Sequence, residues 1–185
     1  MARTLALPYD TASGCAARHA WFESLRILGW AVFLDSGDPR RTQGRYDVMA
    51  AAPIARLVSQ GGKTRIAHTD GREDSVDDAF DGLRSLAAAG EGVGDTEWPL
   101  SGGTIGYLAY ELGRNAALLA PEKAGSAPFM PEAAFGLYAW TIVVDHGRKR
   151  AAITSLPSFP DREAEALRER LLAAQAGAGR FQVDG

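Results

Sequence analysis

The strongest strand signal in the chain is Ala134–Asp145, AFGLYAWTIVVD, dense in aromatic and β-branched residues. It runs into His146-Gly147-Arg148, which reads as a turn, and Lys149–Ser155 then pairs back on it. Strands joined by so short a turn pair antiparallel, because a parallel crossover needs a dozen or more residues. A second link of this kind is Gly61-Gly62, which joins Arg56–Gln60 to Lys63–His68 as a β-hairpin. Two such hairpins point to antiparallel sheet.

Helices fill the intervals. Trp21, Phe22, Leu25 and Leu28 fall at helical spacing within residues 13–28, with Ser13 as N-cap and Gly29 as stop. Trp30–Asp35 is a short apolar strand, residues 36–44 are a loop, and residues 46–52 return as a strand closed by Pro53. Ser75 followed by Asp78 gives a capping signal, and Val76, Phe80, Leu83 and Leu86 continue it as a helix to about Ala89. Gly102–Glu111 reads as a strand containing glycines. Ser158 and Asp161 repeat the capping spacing before a last helix marked by Ala164, Leu167 and Leu171. No strand–helix–strand alternation runs through this order, so the expected class is α+β, with helices packed on antiparallel sheet. Residues 1–176 read as one domain and 177–185 as a linker.

Composition removes several functions. With 185 residues and 46% hydrophobic side chains the chain can bury a core. A formal net charge of −3 gives no electrostatic reason to expect nucleic acid or an anionic membrane surface. The single cysteine, Cys15, forms no internal disulfide and reads as a structural thiol. No signal peptide or membrane-length apolar run is present, and a cytoplasmic location is the default. Gly102-Gly103-Thr104-Ile105-Gly106 lacks the Lys and Ser/Thr ending of a phosphate loop. His19, His68 and His146 lie far apart in sequence and read as surface or interface groups. Asp47 and Glu111 are carboxylates that nothing in the spacing brings together. No catalytic residue and no metal ligand emerges from these patterns.

Three segments carry more. The first is Phe33-Leu34-Asp35-Ser36-Gly37, followed after a loop by Gly44-Arg45-Tyr46-Asp47-Val48-Met49-Ala50-Ala51-Ala52-Pro53. The second is Pro99–Arg114, PLSGGTIGYLAYELGR, and the third is Met130-Pro131 with Phe135–Trp140 and Val144-Asp145-His146. In this order and spacing they resemble the amino-terminal region of the chorismate-utilising enzymes, the family of anthranilate synthase component I and aminodeoxychorismate synthase component I. Asp35 and Asp47, where the anthranilate branch tends to carry Glu and Ser, favour the aminodeoxychorismate branch.

The resemblance implies a fold, a site and a context. The fold would be half of an α/β/β/α arrangement with orthogonally packed antiparallel sheets and flanking helices. The site would be a tryptophan-type pocket formed by Leu34, Asp35, Ser36, Arg45 and Tyr46: a hydroxyl and a carboxylate for the ammonium group, Leu and Tyr for the indole. The chemistry would lie in a separate carboxy-terminal catalytic domain. There chorismate binds with magnesium, and ammonia from a glutamine amidotransferase subunit replaces the ring hydroxyl. This chain itself would need no cofactor. The alternatives are the amino-terminal domain of an anthranilate synthase, with tryptophan as feedback ligand, and a free-standing ligand-binding module. If a second domain normally covers this one, Trp140–Val144 and Gly106–Tyr110 are the expected apolar faces.

Overall fold

The computed structural model describes residues 3–9, 15–37, 44–90, 97–110, 112 and 130–178. Ser13, Glu111, residues 113–129 and positions 179–185 of the expected 177–185 linker lie outside them, as does the Cys15 side chain. Two five-stranded antiparallel sheets and three helices make up the described residues, so the class is α+β.

The first sheet has the order β1 (Arg3–Leu7), β10 (Arg150–Ser155), β9 (Trp140–Asp145), β3 (Tyr46–Ala50), β2 (Val32–Leu34). The β9–β10 hairpin forms as the sequence requires, with Asp145 opposite Arg150 and Trp140 opposite Ser155. One face of this sheet presents Leu5, Leu7, Met49, Trp140, Ile142, Val144, Ala151 and Ile153. They pack with α1 (Cys15–Arg26), through Trp21 and Leu25, and with α3 (Asp161–Ala178), through Leu167 and Leu171. Helix α1 ends at Arg26, three residues before the expected stop at Gly29, whose φ of +77° suits glycine in the turn that follows. Residues 97–102 cross the other face. Trp98 packs with Val143 and Ala152, the Gly102 amide donates to the Thr141 hydroxyl, and the Leu100 carbonyl accepts from Thr154.

The second sheet has the order β6 (Glu73–Val76), β5 (Lys63–His68), β4 (Ala55–Gln60), β8 (Ala133–Tyr138), β7 (Gly103–Leu108). Its Gly61-Gly62 hairpin pairs Gln60 with Lys63, and both glycines have positive φ. Helix α2 (Ala79–Ala89) lays Ala79 and Leu86 on Leu57, Ile66 and Leu137. Gly82 lets α2 approach closely, since a Cβ there would sit 2.8 Å from Leu57 Cδ1. The two sheets fall in two compact units, residues 1–52, 92–103 and 139–185 in one and 53–91 and 104–138 in the other.

Three expectations need correction. The 134–145 run is two strands, because β8 and β9 belong to different sheets and the chain bends at Ala139. The Ala139 carbonyl accepts from Leu156 outside the ladder. No Gly, Pro or Asn marks the break, so the run reads as continuous. Ser75 lies in a strand, and the cap of α2 is Asp78, whose carboxylate accepts from the Phe80 and Asp81 amides. Trp140–Val144 is not an exposed face, for every residue in it is buried, whereas Leu108 and Tyr110 are exposed. The edge strand β1 was not foreseen as a strand: two of its five residues are polar, and it is short.

Candidate functional site

Strands β2 and β3 pair in the register Phe33 to Met49 and Leu34 to Val48. That register divides the five expected site residues between faces. Phe33 turns to the helix side, against His19 and Phe22. Leu34 and Val48 are a directly opposed pair on the other side, and Tyr46, two residues before Val48, shares that side. Leu34 is half exposed, while Tyr46 and Val48 are partly so. A small apolar surface therefore remains at this end of the sheet, beside the portion covered by residues 97–102.

Arg45 borders it. Its guanidinium lies 4.6 Å from the centre of the Tyr46 ring and forks onto Asp145, with Nε and Nη2 each 3.1 Å from a carboxylate oxygen. The Asp145 side chain is wholly buried. Burial alone would raise its pKa, but the Arg45 hydrogen bond, the Arg148 amide and the charges of Arg45 and Arg150 together hold it below the ordinary carboxylate value. Arg150 stacks over Trp98 at 4.1 Å and pairs with Glu97. Half of the Arg45 side chain stays open to solvent, so one edge can meet an anionic group.

The turn after β2 is fixed from below. Asp35 Oδ1 accepts from the Gly37 amide. The Ser36 amide and hydroxyl both donate to Asp47 Oδ1, at 2.9 and 2.8 Å. Asp47 lies on the helix face in phase with Met49, and a carboxylate among core residues needs partners. It has them. Arg18 of α1 donates to Oδ2 at 2.5 Å, and His146 Nε2 lies 2.9 Å from the same oxygen. His146 Nδ1 is 3.1 Å from the Tyr9 hydroxyl. Arg18 Nη1, which can only donate, also stands 2.7 Å from His146 Nε2, so the guanidinium, the imidazole and the carboxylate form one cluster. Burial pushes the Asp47 pKa up, yet the Ser36 amide, His146, the Ser36 hydroxyl and Arg18 together draw it below the ordinary value.

The five residues thus split three ways. Leu34 and Tyr46 line one sheet face with Arg45 at its border; Asp35 and Ser36 form the turn at its edge. Tyr9, Arg18, Asp47 and His146 were not foreseen as a group. Asp47 alone left a signal, a charge in the apolar phase of a strand. His146 reads from sequence as a surface turn residue, but its side chain is only 5% exposed.

Magnesium finds no fit among these groups. The oxygens of the two buried carboxylates, Asp47 and Asp145, are taken by cationic side chains, the His146 ring, the Ser36 hydroxyl and backbone amides. No cluster of three or more His, Cys, Asp or Glu able to hold a metal occurs among the described residues. Among those residues, too, no helix is long and apolar enough to cross a membrane.

No protein-family model matches the chain. Against curated proteins it is similar to aminodeoxychorismate synthase component 1 from three bacteria. It is 32% identical over 162 residues to that of Salmonella typhimurium LT2, covering 86% of this chain and 34% of the relative. To the Escherichia coli K12 protein it is 30% identical over 141 residues, covering 75% and 31%. To the Klebsiella aerogenes protein it is 31% identical over 150 residues, covering 80% and 32%. A solved structure of anthranilate synthase component I from Streptococcus pneumoniae TIGR4 aligns with a TM-score of 0.49 at 19% identity, covering 78% of this chain and 32% of that one. The chain spans about a third of the length of the curated relatives it matches. Over the part of it that the matches span, this chain belongs with aminodeoxychorismate synthase component 1.

Proposed function

We propose that this chain is the amino-terminal scaffold domain of an aminodeoxychorismate synthase component I, an enzyme that converts chorismate and ammonia to 4-amino-4-deoxychorismate for p-aminobenzoate and folate synthesis. The observation that carries the reading is the match to three such proteins at 30–32% identity, over most of this chain and a third of theirs. The buried carboxylates fit a supporting role, since both are held ionised by neighbouring donors and neither is free to act as a general base. Catalysis, magnesium and the contact with a glutamine amidotransferase subunit then fall to other parts of the enzyme, in the cytoplasm.

Within this domain the β2–β3 end of the first sheet is the tryptophan-type site. Leu34 and Tyr46 would take the indole, Asp35 and Ser36 the ammonium group, and the open edge of Arg45 the carboxylate. The test is an assay of the protein encoded by the whole gene with chorismate, ammonium and magnesium. The expected product is 4-amino-4-deoxychorismate, and anthranilate as the product would move the chain to the other branch. Calorimetric titration of tryptophan into the same protein should show saturable heat that Tyr46→Ala abolishes. Heat that is unchanged in Tyr46→Ala would remove the site.

A further inference from the structure

Asp47 gathers four otherwise separate parts of the first unit. Tyr9 follows β1, Arg18 lies in α1, Ser36 follows β2, and His146 opens the β9–β10 turn. Tyr9 reaches the carboxylate through His146, and the others touch it directly. Arg45 and Asp145 pair beside it on the opposite face of the sheet. Arg18 and the Ser36 amide and hydroxyl donate to the two Asp47 oxygens, and His146 Nε2 makes a fourth contact, which together is about the full capacity of an ionised carboxylate. This arrangement exceeds what is needed to neutralise Arg18, because two of the four contacts come from one residue, Ser36.

The consequence lies in the Ser36 hydroxyl. An ionised carboxylate only accepts, so the Ser36 O–H must point its proton at Asp47. Its oxygen is left with lone pairs alone to offer elsewhere. We propose that Asp47, clamped by Arg18 and His146, is a positioning residue that fixes the Ser36 turn and makes the Ser36 hydroxyl an acceptor-only group. A ligand atom meeting that oxygen has to be a donor, such as a protonated amine, and a carboxylate there is refused. The positioning stands on the hydrogen bonds above; only the choice of an amino-acid ligand rests on the tryptophan-type reading.

Nuclear magnetic resonance of the whole chain separates the two. Hydrogen exchange at the Ser36 amide should quicken about tenfold or more in His146→Ala, the scale expected when a charged hydrogen-bond network loses a partner. Exchange at Leu57 and Ile66, in the other unit, should stay unchanged, and His146→Gln, which keeps a polar side chain able to reach Asp47, should recover most of the protection. Equal loss at all of these amides, or none at Ser36, overturns the proposal. Should His146→Ala fail to fold, the Asp47 carboxyl carbon decides instead. Its titration midpoint should rise in Ser36→Ala relative to the unaltered chain, and an unmoved midpoint overturns the proposal. Ligand preference is read with the unaltered chain: tryptamine, which keeps the amine, should compete with tryptophan, and indole-3-propionate, which keeps only the carboxylate, should not. Competition by the propionate overturns the acceptor assignment. Absence of tryptophan binding removes the ligand reading and leaves the exchange and titration results to judge the positioning.

Discussion

Two buried aspartates on opposite faces of one sheet dominate the chemistry at the residue scale. Asp47 and Asp145 both titrate below their ordinary range in the folded chain. A group of this kind binds more protons unfolded than folded at mildly acid pH, so stability falls as pH falls. Its contribution is complete above the unfolded carboxylate value of about 4 and drains away as pH drops through the lower folded values. Thermal unfolding followed from pH 6 down to about pH 2 should therefore show the melting temperature declining below about pH 4, and Asp47→Asn should flatten part of that decline. A melting temperature level across this range would mean that neither carboxylate is held ionised by its partners. Little of this was legible beforehand. Asp47 carries its signal within its own strand, in phase with Met49. The residues that answer it lie 29 and 99 positions away, at Arg18 and His146, and no local pattern encodes such distances.

At the scale of elements, local chemistry was readable wherever it was self-contained. The Gly61-Gly62 hairpin needs only its own glycines and alternating flanks, and it forms in the expected register. The start of α2 shows the limit. Ser75 and Asp78 together resemble a capping box, yet only Asp78 accepts from the first helical amides, because residues 73–76 extend the sheet beside β5. Asp78→Ala should accordingly cost about 1 kcal/mol, whereas Ser75→Ala should change stability by less than about 0.5 kcal/mol. Chemical denaturation of the two variants checks it, and the reverse order would restore Ser75 as the cap. Strand β7 offers a sharper case. A Cβ on Gly106 would stand 2.1 Å from the Ala134 carbonyl oxygen and 2.6 Å from the Phe135 Cα. Backbone cannot move aside as a side-chain tip does, so Gly106→Ala should separate β7 from β8 at a cost of about 3 kcal/mol or more. The sequence shows a strand containing glycines here, and only the paired strand reveals why position 106 must be one of them.

At the scale of the whole molecule, what the sequence hid is the order in which the two units are threaded. The run 134–145 looks like one strand of about 40 Å at the usual rise, far beyond the common strand length of five or six residues. Its two halves serve different sheets, and Ala139 between them carries no turn signal. This threading makes the units unequal in independence. Every strand of the second sheet, and all of α2, lies between residues 55 and 138. The first sheet instead places β3 against β9 and β1 against β10, pairings that join residues 3–50 to residues 140–155. A fragment of residues 53–138 therefore contains all the pairing partners of its sheet and the core of Leu57, Ile66, Leu86 and Leu137. A fragment of residues 1–52 keeps only the short β2–β3 ladder, too little for stability alone. Amide spectra of the two fragments should differ accordingly. Dispersed, exchange-protected resonances are expected for the β4–β5 hairpin in 53–138, and collapsed, unprotected ones in 1–52. Protection at Met49 in the shorter fragment would show that β3 does not depend on β9, and the account of the first sheet as one long-range cooperative unit would fail with it.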